Sequence, residues 1–142
     1  MKSSASQDHS PTPLHHLMFV LQQLSDELLH KEAGVSLSHV RIMGALSYTT
    51  AYSQRAVASK THQTEANISR QLLVMARQRL VKIAKNKKDA RQRDVTLTAK
   101  GKRKYQQAQK LLQKQLDSIY KNLSKTEVKQ LENLIGRVSG VL

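Results

Sequence analysis

The chain has 142 residues, 39% of them apolar, and 24 Lys or Arg stand against 10 Asp or Glu for a formal net charge of +14. The length suits one domain with its own core, and the absence of cysteine excludes disulfides, thiolate zinc sites and thiol redox chemistry. The first residues lack the apolar run of a secretion signal and no stretch approaches a membrane span, so a soluble, cytoplasmic protein is expected.

Residues 1–13 are rich in Ser, Pro and polar side chains without a period, the pattern of a flexible tail. From Leu14 the apolar positions Leu17, Met18, Leu21, Leu24 and Leu28 follow at spacings of three and four, one stripe on a long helix that Gly34 should end. Ser36 or Ser38 can cap a second helix with Val40, Met43 and Leu46 inward, and residues 47–51 read as a connection. Ser53 can cap a third helix burying Val57 and Ala58, and the pattern breaks at Thr61 and His62. A fourth helix is predicted over 64–79 with Ile68, Leu72 and Met75 as its core face. Two helices joined by so tight a turn make a helix-turn-helix.

Two short alternating segments follow, Val81 with Ile83 and Val95 with Leu97, separated by the polar run 85–94; this is a β-hairpin placed as a wing. Thr98 can cap a fifth helix whose stripe is Tyr105, Ala108, Leu112, Leu116, Ile119 and Leu123. Ser124 and Glu127 have the spacing of a capping box at the head of a last helix that carries Val128, Leu131, Leu134, Ile135 and Val138. The fold class is therefore mainly α with a small β-hairpin, in a single domain over 14–142.

The charge is confined. Residues 1–48 sum to −1, 49–104 to +12 and 105–142 to +3. Twelve Lys or Arg against two acids between Arg77 and Lys104 leave +10 on 28 residues, a density that calls for a polyanion. Lys100, Lys102, Arg103 and Lys104 stand at the start of the fifth helix, where the dipole mildly disfavours cations, which points to phosphate nearby.

Val57 and Ala58, then Ile68, Ser69, Arg70 and Leu72, then Leu80 and Val81, Asp89 and Arg91 at the hairpin tip, and Leu97, Thr98 and Gly101 form an ordered set. With this set the chain resembles the MarR family of bacterial winged-helix transcription regulators over roughly residues 14–140. The resemblance implies a homodimer in which helices from 14–34 and 105–142 intertwine and two winged-helix regions, 36–104, straddle double-stranded DNA. It places the fourth helix in the major groove and the wing-tip arginine in the flanking minor groove. The chain departs from the family at His62 and Arg79, where Gly is usual, at Ile83, where Arg is frequent, and at Thr61 and Gln63, which replace apolar residues. A left-handed backbone at His62 would strain a residue other than glycine.

The expected reading residues are Thr64, Glu65, Ala66, Asn67, Ser69 and Arg70, at the head of the fourth helix. Arg70 suits guanine, Asn67 suits adenine, and Glu65 could accept from cytosine or repel phosphate. Lys85, Lys87, Lys88, Arg91 and Arg93 make a cationic wing for a narrow minor groove or the backbone. Asp89 is expected to hold an arginine or the turn backbone.

No P-loop, HExxH or GxSxG motif occurs, so no enzyme and no cofactor is expected. His15, His16, His30 and His39 suggest a metal only weakly, because adjacent histidines on a helix diverge by about 100°. By resemblance a small anionic effector could release the DNA; the residues identify none, although His39, Arg41 and Tyr48 lie near where one would bind. The expected function is a sequence-specific regulator of transcription, a repressor on a near-palindromic site at the nucleoid. A sequence-neutral architectural protein and a protein-binding winged helix are the alternatives.

Overall fold

The computed structural model describes residues 12–48 and 52–141, so most of the expected tail and of the 47–51 connection lies outside the described residues. Helix α1 (Pro13–Ala33) begins at Thr12, whose hydroxyl accepts the His15 N–H, with Pro13 at a position that needs no donor. Gly34, at φ 67°, ends it as expected, and its N–H donates to the His30 carbonyl. Helix α2 (Leu37–Ser47) is capped by Ser36 and tied back to α1, because the Asp26 Oδ1 accepts the Leu37 N–H at 2.7 Å. A carboxylate at a helix N-terminus is favoured by both the open N–H groups and the dipole.

A two-residue strand, β1 (Tyr52–Ser53), precedes helix α3 (Gln54–Lys60), which Ser53 caps. Helix α4 (Glu65–Arg77) follows after a short turn. Strands β2 (Val81–Lys85) and β3 (Arg93–Leu97) form the hairpin, pairing Val81 with Leu97, Ile83 with Val95 and Lys85 with Arg93. The sheet is antiparallel with the order β1-β3-β2. The sequence pattern has no counterpart for β1, since two residues are too few to show an alternation. Helix α4 is also shorter than expected. Thr64 is its cap rather than its first residue, and Arg79, at φ 59°, turns the chain out of the helix.

The core lies between α2, α3, α4 and the sheet. Ile42, Met43, Leu46, Val57, Ile68, Leu72, Met75, Leu80 and Val95 are buried, joined by Leu29 and Val35 from the end of α1 and the bend after it. Each large side chain of this kind contributes about 1.5–3 kcal/mol on leaving water. Thr98 then starts helix α5 (Ala99–Tyr120): its hydroxyl donates to the Arg79 and Leu80 carbonyls and accepts the Gly101 N–H. Gly101 is required there, because a Cβ would fall 2.1 Å from the Leu80 carbonyl oxygen.

Residues to Gln109 form one compact unit and Lys110–Leu142 a second. Helix α6 (Lys125–Ser139) opens with the expected capping box, Ser124 accepting from the Glu127 N–H and Glu127 from the Ser124 N–H. The outer stripes, which the resemblance assigns to helices shared between two copies, are not covered within one chain. Leu14, Leu17, Met18 and Leu24 of α1 and Leu131, Leu134, Ile135 and Val138 of α6 are exposed. None of the described residues belongs to a helix long and apolar enough to cross a membrane.

Candidate nucleic-acid interface

The turn between α3 and α4 is held by a short side chain and by backbone hydrogen bonds. The Thr61 hydroxyl donates to the Val57 carbonyl at 2.8 Å, and the Gln63 N–H donates to the Ala58 carbonyl at 2.9 Å. Between them His62 sits at φ 54°, in the left-handed region where a residue other than glycine is strained. The α4 helix then starts on Thr64, whose hydroxyl accepts the Asn67 N–H at 3.2 Å.

With Ile68, Leu72 and Met75 facing the core, helical geometry turns Ala66, Arg70, Leu73 and Arg77 to the opposite side, where all four are exposed. Ser69 is half-buried. Glu65 stands 3.6 Å from the exposed Arg55 guanidinium of α3, a solvent-screened pair of small energetic weight. Its effect is local: the carboxylate in the first turn of α4 has a cation beside it. Asn67 donates its side-chain N–H to the Gln63 Oε1 at 2.7 Å.

The wing tip folds around one short amide, Asn86, and one short acid, Asp89. The Asn86 Oδ1 accepts from the Lys88 and Asp89 N–H groups, and the Asp89 Oδ1 accepts from the Arg91 N–H at 3.0 Å. These are Asx turns, in which a short side chain replaces a backbone acceptor. The Asp89 carboxylate therefore meets backbone, and the side chains of Lys87, Lys88, Arg91 and Arg93 remain exposed. Lys85 and Arg93 lie directly opposite in the β2–β3 register, and like charges so placed are destabilising unless an anion intervenes.

Glu65 at the head of α4 and Arg55 on α3 share one cleft, about 370 Å³, with Asp89, Arg91 and Arg93 of the wing. The helix-turn-helix and the hairpin tip thus form a continuous face. The Lys100 ammonium group donates at 2.9 Å to the Gln78 carbonyl, at the C-terminus of α4, where a cation is favourable. Arg55 and Asn86 were not singled out in the sequence, and Gln63 stood out only as a departure from the resemblance. Only Asn86, opening a polar run beside Lys87, Lys88 and Asp89, carried a turn signal.

A second cleft, about 860 Å³, lies between α2 and the helix-turn-helix turn, with Arg41, Tyr48, Lys60 and His62 in its lining. His39 is not part of it. Burial, with His30 adding to it and Asp26 opposing, lowers the His39 pKa below its usual value, and its Nδ1 has no hydrogen-bond partner. Among the described residues no three His, Asp or Glu gather as a metal site.

Solved structures share this arrangement of helices and wing. A crystal structure of MarR superposes with a TM-score of 0.83 at 15% identity, covering 91% of this chain and 96% of that one. The fold is that of MarR. The wild-type apo MarR of E. coli gives 0.76 at 22% identity over 91% and 98% of the two chains. The transcriptional regulator BldR of Sulfolobus solfataricus gives 0.75 at 21% identity over 89% of each. No protein-family model matches the sequence and no curated protein does. The MarR fold is thus formed here by a sequence 15–22% identical to these proteins, with His62 and Arg79 in left-handed conformations that glycine adopts at less cost.

Proposed function

We propose that the protein is a homodimeric transcriptional regulator of the MarR type that binds double-stranded DNA in the cytoplasm, at the nucleoid. The observation that carries this reading is the common cleft of α4 and the wing, bordered by Arg55, Arg91 and Arg93, in a region whose net charge is +12. A like-charged Lys85–Arg93 cross-strand pair in that wing fits a surface completed by phosphate.

In this reading Thr64, Glu65, Ala66, Asn67, Ser69 and Arg70 enter the major groove. Arg70 supplies two donors to guanine and Asn67 pairs with adenine. Arg91 and Arg93 follow the minor groove while Lys85, Lys87 and Lys88 neutralise the backbone, and Asp89 holds the tip in shape. The exposed apolar stripes of α1 and α6 are covered by a second copy. Two reading heads on a two-fold axis require a near-palindromic site with half-sites about 34 Å apart. Occupation of such a site in a promoter represses.

An effector that releases the DNA must bind the DNA-competent and incompetent arrangements with different affinity. The cleft of Arg41, Tyr48, Lys60 and His62 has the cationic lining that an anionic effector needs.

Selection of bound sequences from a random duplex pool tests the reading, and an enriched two-fold repeat is the expected result. Affinity for it should fall on the order of 10³- to 10⁵-fold between 50 and 200 mM salt if about six to ten phosphates are neutralised. Arg70→Ala should cost about 1–3 kcal/mol and relax one base position, whereas Lys88→Ala should weaken all sequences alike. A specific-to-random affinity ratio near unity would instead identify a sequence-neutral architectural protein.

A further inference from the structure

Gln63 occupies a turn position at which the resemblance leads one to expect an apolar residue, and its side chain closes a ring of hydrogen bonds. The Ser38 hydroxyl donates to the Gln71 Oε1 at 2.6 Å, the Gln71 Nε2 donates to the Gln63 Oε1 at 2.6 Å, and the Gln63 Nε2 donates back to the Ser38 Oγ at 3.1 Å. The ring joins α2, the turn and α4, and all three side chains are half-buried. Donation runs one way around it. Reversing one carboxamide alone would set donor against donor or acceptor against acceptor, so the ring couples the orientations of the two amides and neither turns by itself.

Asn67 hangs on this ring. Its Nδ2 donates at 2.7 Å to the same Gln63 Oε1 that accepts from Gln71. An asparagine amide has two N–H groups and a carbonyl oxygen. With one N–H held by Gln63, the remaining pair is one donor beside one acceptor. That pair matches adenine, whose major-groove edge offers the N7 acceptor beside the N6 donor. Guanine presents two acceptors, N7 and O6, and would set its O6 against the Asn67 oxygen. An asparagine free to turn could answer guanine with both N–H groups; one N–H committed to Gln63 removes that option.

We propose that Gln63, acting through Asn67, is the positioning residue that makes one base pair of the bound sequence select adenine over guanine. This rests on the reading of α4 as the groove-reading helix. It assigns to Gln63, Gln71 and Ser38 a part in specificity although none of them need touch DNA. The ring also makes the choice rigid before binding, so less side-chain freedom is lost on contact.

The test is selection of bound sequences from a random duplex pool by the full chain and by the variants Asn67→Ala, Gln63→Leu, Ser38→Ala and Arg70→Ala, with thermal melting by circular dichroism to confirm folding. Asn67→Ala should erase preference at one position, and an adenine preference of about tenfold or more is expected there in the wild type. Gln63→Leu should lose most of the adenine-over-guanine preference at that same position while leaving the position relaxed by Arg70→Ala untouched. Ser38→Ala, which opens the ring at its far side, should relax the same position by a smaller factor. A folded Gln63→Leu protein with wild-type preference there, or one relaxed at every position alike, overturns the assignment. Should Gln63→Leu fail to fold, Ser38→Ala decides by the same criterion, and no change in its preference also overturns it. If Asn67→Ala alters no position, Asn67 does not read a base and the assignment falls while the DNA-binding reading stands. A wild-type chain that binds no duplex at low salt removes the underlying reading itself.

Discussion

The winged-helix part of the chain and its terminal helices carry the same apolar signal in sequence and meet different fates in the fold. In α4, Ile68, Leu72 and Met75 recur at helical spacing and are fully buried by their own chain. In α6, Leu131, Leu134, Ile135 and Val138 recur at the same spacing and stay exposed, Leu134 at 53% and Val138 at 58%. Helix α1 shows both behaviours along its length, with Leu14 and Leu17 exposed and Leu29 buried. Periodicity therefore reports that a face will be covered, not which chain covers it. In the proposed dimer the closed region holds the DNA-binding surface and the open region holds the second copy.

The sharpest way to break that comparison is to put charge on the open face. Leu134→Glu combined with Val138→Glu should yield a monomer in sedimentation equilibrium. Its duplex affinity should drop by about 10²- to 10⁴-fold, because the second reading head loses its tether. Wild-type sedimentation by this variant would mean that α6 is not the interface. Leu72→Ala, on the closed side, should instead cost about 2–5 kcal/mol in urea unfolding through the cavity it leaves. Its effect on assembly should be confined to what lost stability explains.

A smaller effect is expected where the closed region hands the chain to α5. Gly101→Ala places a Cβ 2.1 Å from the Leu80 carbonyl oxygen and 2.7 Å from the Leu97 Cδ1, and one of these is backbone that cannot turn aside. A loss of about 1–3 kcal/mol in denaturant unfolding is expected, with the wing displaced from α4. Unchanged stability would show that the start of α5 yields where the rest of the region does not.

Much of the architecture was legible because each signal had a local physical cause. Ser53, Thr98 and Ser124 were readable as caps, since a hydroxyl three residues ahead of a helical N–H has few other uses, whereas Thr64 was read as the first helical residue instead of the cap it is. The strand β1 was not legible, because its order comes from pairing Tyr52 with Val95 across 43 positions rather than from its own two residues. Gln63 was legible only as a departure from the family. That its amide closes a ring with Ser38 and Gln71 depends on where α2 lies against the turn, which no spacing in the sequence records. His62 was the reverse case, a residue whose strain could be anticipated and is present at φ 54°. His62→Gly should raise stability in thermal melting by up to about 1 kcal/mol, since the relief of a left-handed side chain exceeds slightly the entropy that glycine adds to the unfolded chain. An equal or lower melting temperature would mean that the His62 side chain contributes more through its contacts than the backbone loses.

The least of the expected effects lies at the junction between α1 and α2, where the open helix meets the closed core. His39 is half-buried there with an unpartnered Nδ1, and the ionisable groups acting on it are His30, which shares the lowering effect of burial, and Asp26, which opposes it. Its pKa in the fold is lower than the usual 6.5, so the unfolded chain takes the proton first as the solution is acidified. The stability tied to neutral His39 is fully present above that usual value and is lost as the pH falls through the lowered one, with a slope of at most about 1.4 kcal/mol per pH unit for one proton. Unfolding measured at pH 8, 7, 6 and 5 should show this decline, and His39→Gln should flatten it without shifting the pH 8 value by more than about 1 kcal/mol. If the decline is as steep in His39→Gln as in the wild type, the proton is taken up by another group and the lowered His39 pKa does not set the loss of stability in acid.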